Sequence, residues 1–273
     1  MMREMVSWRS CDGLTSKRAT TPGRLYQPFG PGSTVRSVLY GDLTGSVGQG
    51  AEAGEEDEAS TMTMPTTKPG EAARAATLRA VQEEIRGCRR CVVAGFIPAA
   101  RPIFRGHAGQ RVMVVGQAPA AFVAERPTPF SGASGKVLRA WFARAGAPPE
   151  EFDDRVYLTS LTKCFPGKSA SGKGDRAPSA AEIKLCRDHL EREMALVRPD
   201  VVVTLGRVAA TAFVGPAPLT ALVGTRHEVA FAGVPVVVLP LPHPSGVSHW
   251  LNDAGNRALV DTGLDLLAEE LAT

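Results

Sequence analysis

Residues 111–135, RVMVVGQAPAAFVAERPTPFSGASG, decide how this chain is read. They open on Val112, Met113, Val114 and Val115, an unbroken apolar run of the kind found in strands covered on both faces. Gly116 ends that run, and Pro119 blocks an immediate helix. Gln117 is the polar side chain beside the glycine, and Pro129-Phe130-Ser131-Gly132 closes the loop. Open α/β sheets bind ligands outside the carboxyl ends of their strands, so a site is expected in this loop.

Working outward, residues 136–145 predict a helix with Val137, Leu138, Trp141 and Phe142 on one face, and 156–161 a second strand. A loop rich in Gly, Ser and Lys (167–175) precedes a helix that starts at a capping box, Ser179 with Glu182, and runs to about Val197. Residues 201–205 form a third buried strand, with Gly206 leading into a short helix through Phe213. Residues 229–231 and 234–239 read as a hairpin turning at Ala232-Gly233, followed by Pro242-His243-Pro244-Ser245. A last helix is expected at 256–271. Before the deciding stretch, 71–87 is built from strong helix formers and stops at Gly87. Strands alternating with helices predict a three-layer α/β/α domain over 71–273 with a mainly parallel central sheet.

Residues 1–70 differ in kind. They are rich in Gly, Ser, Thr and Pro, carry an acidic run at 55–58, and sustain no period. They read as a disordered tail, in which residues 35–40 are the one segment with strand character. The net charge is +3, and the tail, with 7 basic and 8 acidic residues, leaves +4 on the remainder. That excess permits a phosphate-facing surface without requiring one. No apolar run reaches the roughly 18 residues of a membrane span, and the first residues lack the apolar core of a secretory signal. A cytoplasmic protein, monomeric and without a membrane partner, is expected.

Five cysteines occur, and Cys11 lies in the tail. Cys88 and Cys91 form a Cys-x2-Cys pair at a helix end, Cys164 follows the second strand, and Cys186 sits on the next helix. Four thiolates suit a structural zinc or an iron–sulfur cluster, and buried free thiols are the plain alternative. A reducing cytosol argues against disulfides.

Taken in order, these motifs resemble the uracil-DNA glycosylase superfamily, most closely its iron–sulfur family 4. The resemblance covers about residues 78–271. It rests on Cys88-x2-Cys91, Val114-Val115-Gly116-Gln117-Ala118-Pro119, and Pro129-Phe130-Ser131-Gly132-Ala133-Ser134-Gly135. Tyr157-Leu158-Thr159-Ser160-Leu161-Thr162-Lys163-Cys164, Cys186 and His243-Pro244-Ser245 complete it. It implies a [4Fe-4S] cluster on the four cysteines and a DNA partner whose damaged base is flipped into a pocket. Phe130 would stack on that base, and backbone donors around Gly116, Gln117 and Ala118 would hold its oxygens. His243 would stabilise charge growing on the base carbonyl, and Ser245 with Pro244 would approach the phosphates.

Two departures stand out against the family pattern. Gln117 replaces the usual Glu, so an amide that orients water stands where a carboxylate would also supply charge. Ser160 replaces the usual Asn, offering one hydroxyl in place of a donor and an acceptor. Family 5 members, which carry an apolar residue at the position of Gln117, compensate with an Asp in the Phe-x-Gly segment, and this chain has none there. The implied function is a monofunctional glycosylase for uracil or another deaminated base, with Gln117 and His243 as catalytic residues. The alternatives are a non-catalytic or weakly catalytic binder of damaged DNA and, at more distance, an electron-transfer protein.

Overall fold

The computed structural model describes residues 69–121, 128–172, 174–245 and 249–273. The segment at 35–40 and the tail lie outside them, apart from Pro69 and Gly70, which open the first helix. In chain order the elements are α1 (Pro69–Arg86), α2 (Arg90–Val93), β1 (Val112–Gly116), α3 (Ala133–Arg144), α4 (Pro149–Arg155) and β2 (Val156–Ser160). There follow α5 (Ala180–Val197), β3 (Val201–Leu205), α6 (Arg207–Val214), α7 (Leu219–Leu222), β4 (His227–Phe231), β5 (Val234–Leu241), a 3₁₀ turn (His249–Asn252) and α8 (Ala254–Ala272).

Five strands make one sheet in the order β2-β1-β3-β5-β4. All neighbours are parallel except β4 and β5, which form the antiparallel hairpin at the edge. Every residue of β1, β2 and β3 is buried, as expected of strands with helices on both faces. Strand alternation divides the core in two. Val112 and Val114 pack with Leu138 and Phe142 of α3, Phe152 of α4 and Leu264 of α8. Met113 and Val115 pack on the other face with Leu78 of α1 and Leu190 and Met194 of α5. The mainly parallel three-layer arrangement is the one the sequence predicts.

Register puts the carboxyl ends of four strands on one edge. Gly116 sits beside Ser160 and Leu205 beside Leu241. The hairpin turn falls at Ala232 and Gly233, both with positive φ (50° and 77°), the geometry of a tight primed turn. The capping box is formed: the Ser179 hydroxyl accepts from the Glu182 N–H, and the Glu182 carboxylate accepts from the Ser179 N–H at 2.8 Å.

Several bounds shift. Helix α1 begins at Pro69 instead of Glu71, α3 at Ala133 instead of Lys136, and α8 at Ala254 instead of Asn256. Strand β2 ends at Ser160 instead of Leu161, although the Leu161 N–H still donates across to the Gly116 carbonyl at 2.9 Å. Helices α2, α4 and α7 are not among the elements expected from the sequence; α4 carries the start signals of Pro149 at its first turn followed by Glu150 and Glu151. No helix among the described residues is long and apolar enough to cross a membrane.

Candidate functional site

A cleft opens at the carboxyl edge of the sheet, with about 520 Å³ of empty volume including the open solvent at its mouth. Its wall is formed by Gly116, Ala118, Pro119 and Ala120 after β1, Pro129, Phe130, Gly132 and Ser134 before and within α3, Thr159 and Ser160 at the end of β2, His243 after β5, and Ile103. Five residues singled out from sequence therefore share one cavity: Gly116, Ala118, Phe130, Ser160 and His243.

Two others do not line it. Gln117, half-buried, lies between two wall residues and fixes the loop through its carbonyl, which accepts from the Thr162 N–H at 3.3 Å. Ser245 is partly exposed and donates its N–H to the His243 carbonyl at 2.9 Å, folding the His-Pro-Ser loop back on itself. Residues 246–248 lie outside the described ones.

Phe130 reaches the cleft through an unusual backbone. Its φ is +52°, in the left-handed region that side chains other than glycine enter at a cost of order 1–3 kcal/mol. Gly135 makes the turn possible, since a Cβ there would fall 1.5 Å from the Phe130 carbonyl oxygen. Arg139 holds the same carbonyl with one N–H at 3.3 Å and Asp153 with another at 3.0 Å, its guanidinium 4.6 Å above the Phe152 ring. Asp153 also takes a bond from Arg105 at 2.8 Å. Gly116 is less constrained than Gly135: a Cβ on it would make ordinary contacts with Phe130 Cζ at 3.4 Å and Ser160 Cβ at 3.9 Å, filling the space between them. The bare glycine thus leaves the gap between the aromatic ring and the serine.

His243 comes in from the far side. It packs beside Gly206, where a Cβ would lie 3.5 Å from the His243 Cβ. Burial pushes its imidazole below the ordinary histidine pKa, so the neutral ring, which still donates one N–H, is favoured. No Asp, Glu, Lys or Arg is among the described residues on the wall.

Behind β2 lies a charged network that sequence reading missed. Lys163 Nζ donates to Glu193 (2.6 Å), to the Thr159 hydroxyl (2.6 Å) and to the Ser160 carbonyl (2.8 Å). Glu193 also accepts from Tyr157 and Thr159, each at 3.0 Å, and Gln82 donates to the Tyr157 oxygen at 3.2 Å. Ser134, on the first turn of α3, lines the wall as well.

The four cysteines are free thiols gathered from α2, α5 and the segments after α1 and β2. Burial pushes Cys91 up to about 11, and charge on Cys186 and Cys88 adds to the rise. Cys164 is raised to about 12 by burial and then by Cys186, Cys91 and Cys88, against a backbone hydrogen bond from Arg101. Cys186 is raised by burial as well, opposed by Lys163, whose backbone N–H also reaches its sulfur at 3.4 Å. Charge on other thiols of the set thus contributes at Cys91, Cys164 and Cys186. Among the described residues, no three His, Cys, Asp or Glu side chains converge on a point that would hold a single metal ion.

Residues 104–265 match the family model described as the uracil DNA glycosylase superfamily. The chain is 30% identical over 176 residues to the type-4 uracil-DNA glycosylase of Archaeoglobus fulgidus, covering 61% of this chain and 81% of that protein. It is 26% identical over 174 residues to the type-4 enzyme of Sulfurisphaera tokodaii (62% and 74% covered). It is also 33% identical over 176 residues to the type-5 uracil-DNA glycosylase of Pyrobaculum aerophilum (58% and 75% covered). With a mainly parallel sheet, a cleft at its carboxyl edge and a family match over most of the folded chain, this protein belongs to the uracil DNA glycosylase superfamily.

Proposed function

We propose that the protein is a monofunctional DNA glycosylase, hydrolysing the N-glycosidic bond of uracil or another deaminated base. The observation that carries this is that Phe130 and His243, 113 positions apart, open into one cleft. A flipped base fits between them, its face on the Phe130 ring. As the glycosidic bond breaks, its electron pair leaves with the base nitrogen and negative charge spreads onto the base carbonyl oxygen. A His243 ring N–H donates to that oxygen, and the buried, charge-poor wall strengthens the bond. Water then adds to the sugar carbon and releases its proton to solvent. Gln117 orients that water from the loop edge. Lys163, bonded to the wall residues Thr159 and Ser160, has all three N–H donors committed, which supports attack by water over attack by an amine.

The absence of a carboxylate among the described wall residues favours a second reading, a damage binder that keeps the pocket with little turnover. One experiment separates the two. Oligonucleotides carrying uracil, hypoxanthine or xanthine are incubated with the protein and then treated with alkali, which breaks abasic sites. Strand breaks that vanish in His243→Ala support the glycosylase. Selective binding with no breaks at any base establishes the binder.

Cys88, Cys91, Cys164 and Cys186 would hold a [4Fe-4S] cluster, and the support is the all-thiol donor set drawn from α2, α5 and the segments after α1 and β2. When bound, it would tie α2, α5 and the turn after β2 together as a structural clasp. Equal iron and acid-labile sulfide in the purified protein are expected; zinc without sulfide would replace the cluster by a structural ion.

A further inference from the structure

The hydroxyl hydrogen of Ser160 is already in use. Its Oγ lies 2.7 Å from the Thr162 carbonyl oxygen, and because a carbonyl only accepts, Ser160 is the donor. Both residues are buried, at 5% and 4% exposure, so a base that drew the hydrogen away would strand a carbonyl with no water to replace it. The turn that carries them is held at both ends. Lys163 grips the Ser160 carbonyl at 2.8 Å, and the Thr162 N–H and hydroxyl both reach the Gln117 carbonyl, at 3.3 and 3.5 Å. Ser160 therefore faces the cleft as an acceptor alone.

Its position decides what it reads. Phe130 and Ser160 flank the bare Gly116, so a ring lying on Phe130 turns an edge toward the serine oxygen. The edge of uracil carries N3–H between two carbonyls; cytosine has a lone pair at the same nitrogen. Hypoxanthine carries N1–H where adenine has a lone pair. An acceptor bonds the first member of each pair and repels the second. It offers nothing to the exocyclic O4 or O6, which an amide side chain would also have read.

We propose that Ser160 selects bases by their ring imino N–H alone, so that uracil and hypoxanthine form one substrate class while cytosine and adenine are refused. Guanine already carries N1–H, so at this atom the device separates deaminated from parent base only for cytosine and adenine. The inference rests on the cleft being a base pocket, as proposed above.

The test uses the full chain and oligonucleotides with an uncleavable 2′-fluoroarabinose at one position, bearing uracil, 4-thiouracil, 2-pyrimidinone, thymine or cytosine, with binding read by fluorescence anisotropy. 4-Thiouracil keeps N3–H and loses the O4 acceptor; 2-pyrimidinone loses N3–H and keeps O2. Uracil and 4-thiouracil are expected to bind within about twofold of each other, and 2-pyrimidinone about tenfold more weakly, the usual scale for one lost buried hydrogen bond. Ser160→Ala should bring all three to the weaker level. Ser160→Cys, close in size and a poor acceptor, should shrink the gap in the same direction should the alanine variant fail to fold. Ser160→Asn should restore uracil and open a gap between uracil and 4-thiouracil. A wild type that binds 2-pyrimidinone as well as uracil, or either smaller-acceptor variant keeping the full gap, overturns the assignment of Ser160 and leaves the glycosylase reading standing. Thymine carries the same N3–H and is expected to bind with uracil at this atom, whereas uracil bound no better than an unmodified cytosine at that position overturns both.

Discussion

The two sides of the β2 end are opposites. On one side, Thr159 and Ser160 border a cleft whose described wall carries no Asp, Glu, Lys or Arg, with His243 as its titratable group. On the other, Lys163 and Glu193 are almost fully enclosed, and each is surrounded by partners. The buried Lys163–Glu193 pair sits where its donors and acceptors are matched, and the described wall, where a reacting base would develop its own charge, carries none. A wall of that kind leaves field strength to a few aimed dipoles acting at low dielectric. The same strand end is stiffened from behind and left bare in front.

The largest effect is expected from unbalancing the rear side. Glu193→Leu leaves the Lys163 ammonium buried with its anion gone, which costs about 3–5 kcal/mol of stability, whereas Lys163→Met with Glu193→Leu should recover most of that loss. Urea unfolding of the single and double variants checks it. Equal destabilisation in both would mean that the network's shape matters and its charge balance does not.

Next comes the front side. Gln117→Glu places a carboxylate at the edge of the charge-poor wall. A well-placed general base is worth roughly 10²–10⁴ in rate; since Gln117 does not line the cleft, a rise of about tenfold in uracil release is expected. A rate unchanged by the substitution would locate the limit elsewhere than this position.

Much of this division was legible in the sequence. β1, β3 and β5 are apolar, valine-rich runs that admit one reading, and the Ala232-Gly233 turn and the Ser179 cap are local devices with local signals. The shared cleft followed from topology: parallel strands bring loops 116–120, 129–134 and 243 to one edge whatever their distance in the chain. The rear network was hidden, because Lys163 and Glu193 are 30 positions apart and a glutamate on a long helix reads as solvated surface. The turning of the Ser160 hydroxyl toward Thr162 was hidden too; it depends on a hydrogen-bond direction that composition and spacing do not encode. Helix α4 was missed because seven residues are too few to show a period, despite its start signals.

A smaller effect is expected at Arg139, which supports Phe130 from outside the wall. Arg139→Gln removes the hydrogen bond to the Phe130 carbonyl and the guanidinium over Phe152, while Asp153 keeps Arg105. Losing about 1 kcal/mol of support for the left-handed Phe130 should raise KM for a uracil oligonucleotide about fivefold, with kcat nearly kept. A fall in kcat at constant KM would place Arg139 in the bond-breaking step, against its position.

The gentlest probe is pH. An ordinary histidine is half protonated near pH 6.5, but burial lowers the pKa of His243. Between the folded and ordinary values the native chain binds fewer protons than the unfolded one, so stability from this group is full above about 6.5 and declines as pH falls through that value toward the folded pKa. The neutral ring persists over the same window. Uracil release at saturating substrate should therefore stay level from pH 8 through 6.5 and drop only below, while His243→Gln, which retains an N–H donor that does not titrate, should flatten the acid limb. A profile of the wild type already halved at pH 6.5 would mean that His243 meets water freely, and with that the contrast between a bare front and a charged rear would lose its strongest witness.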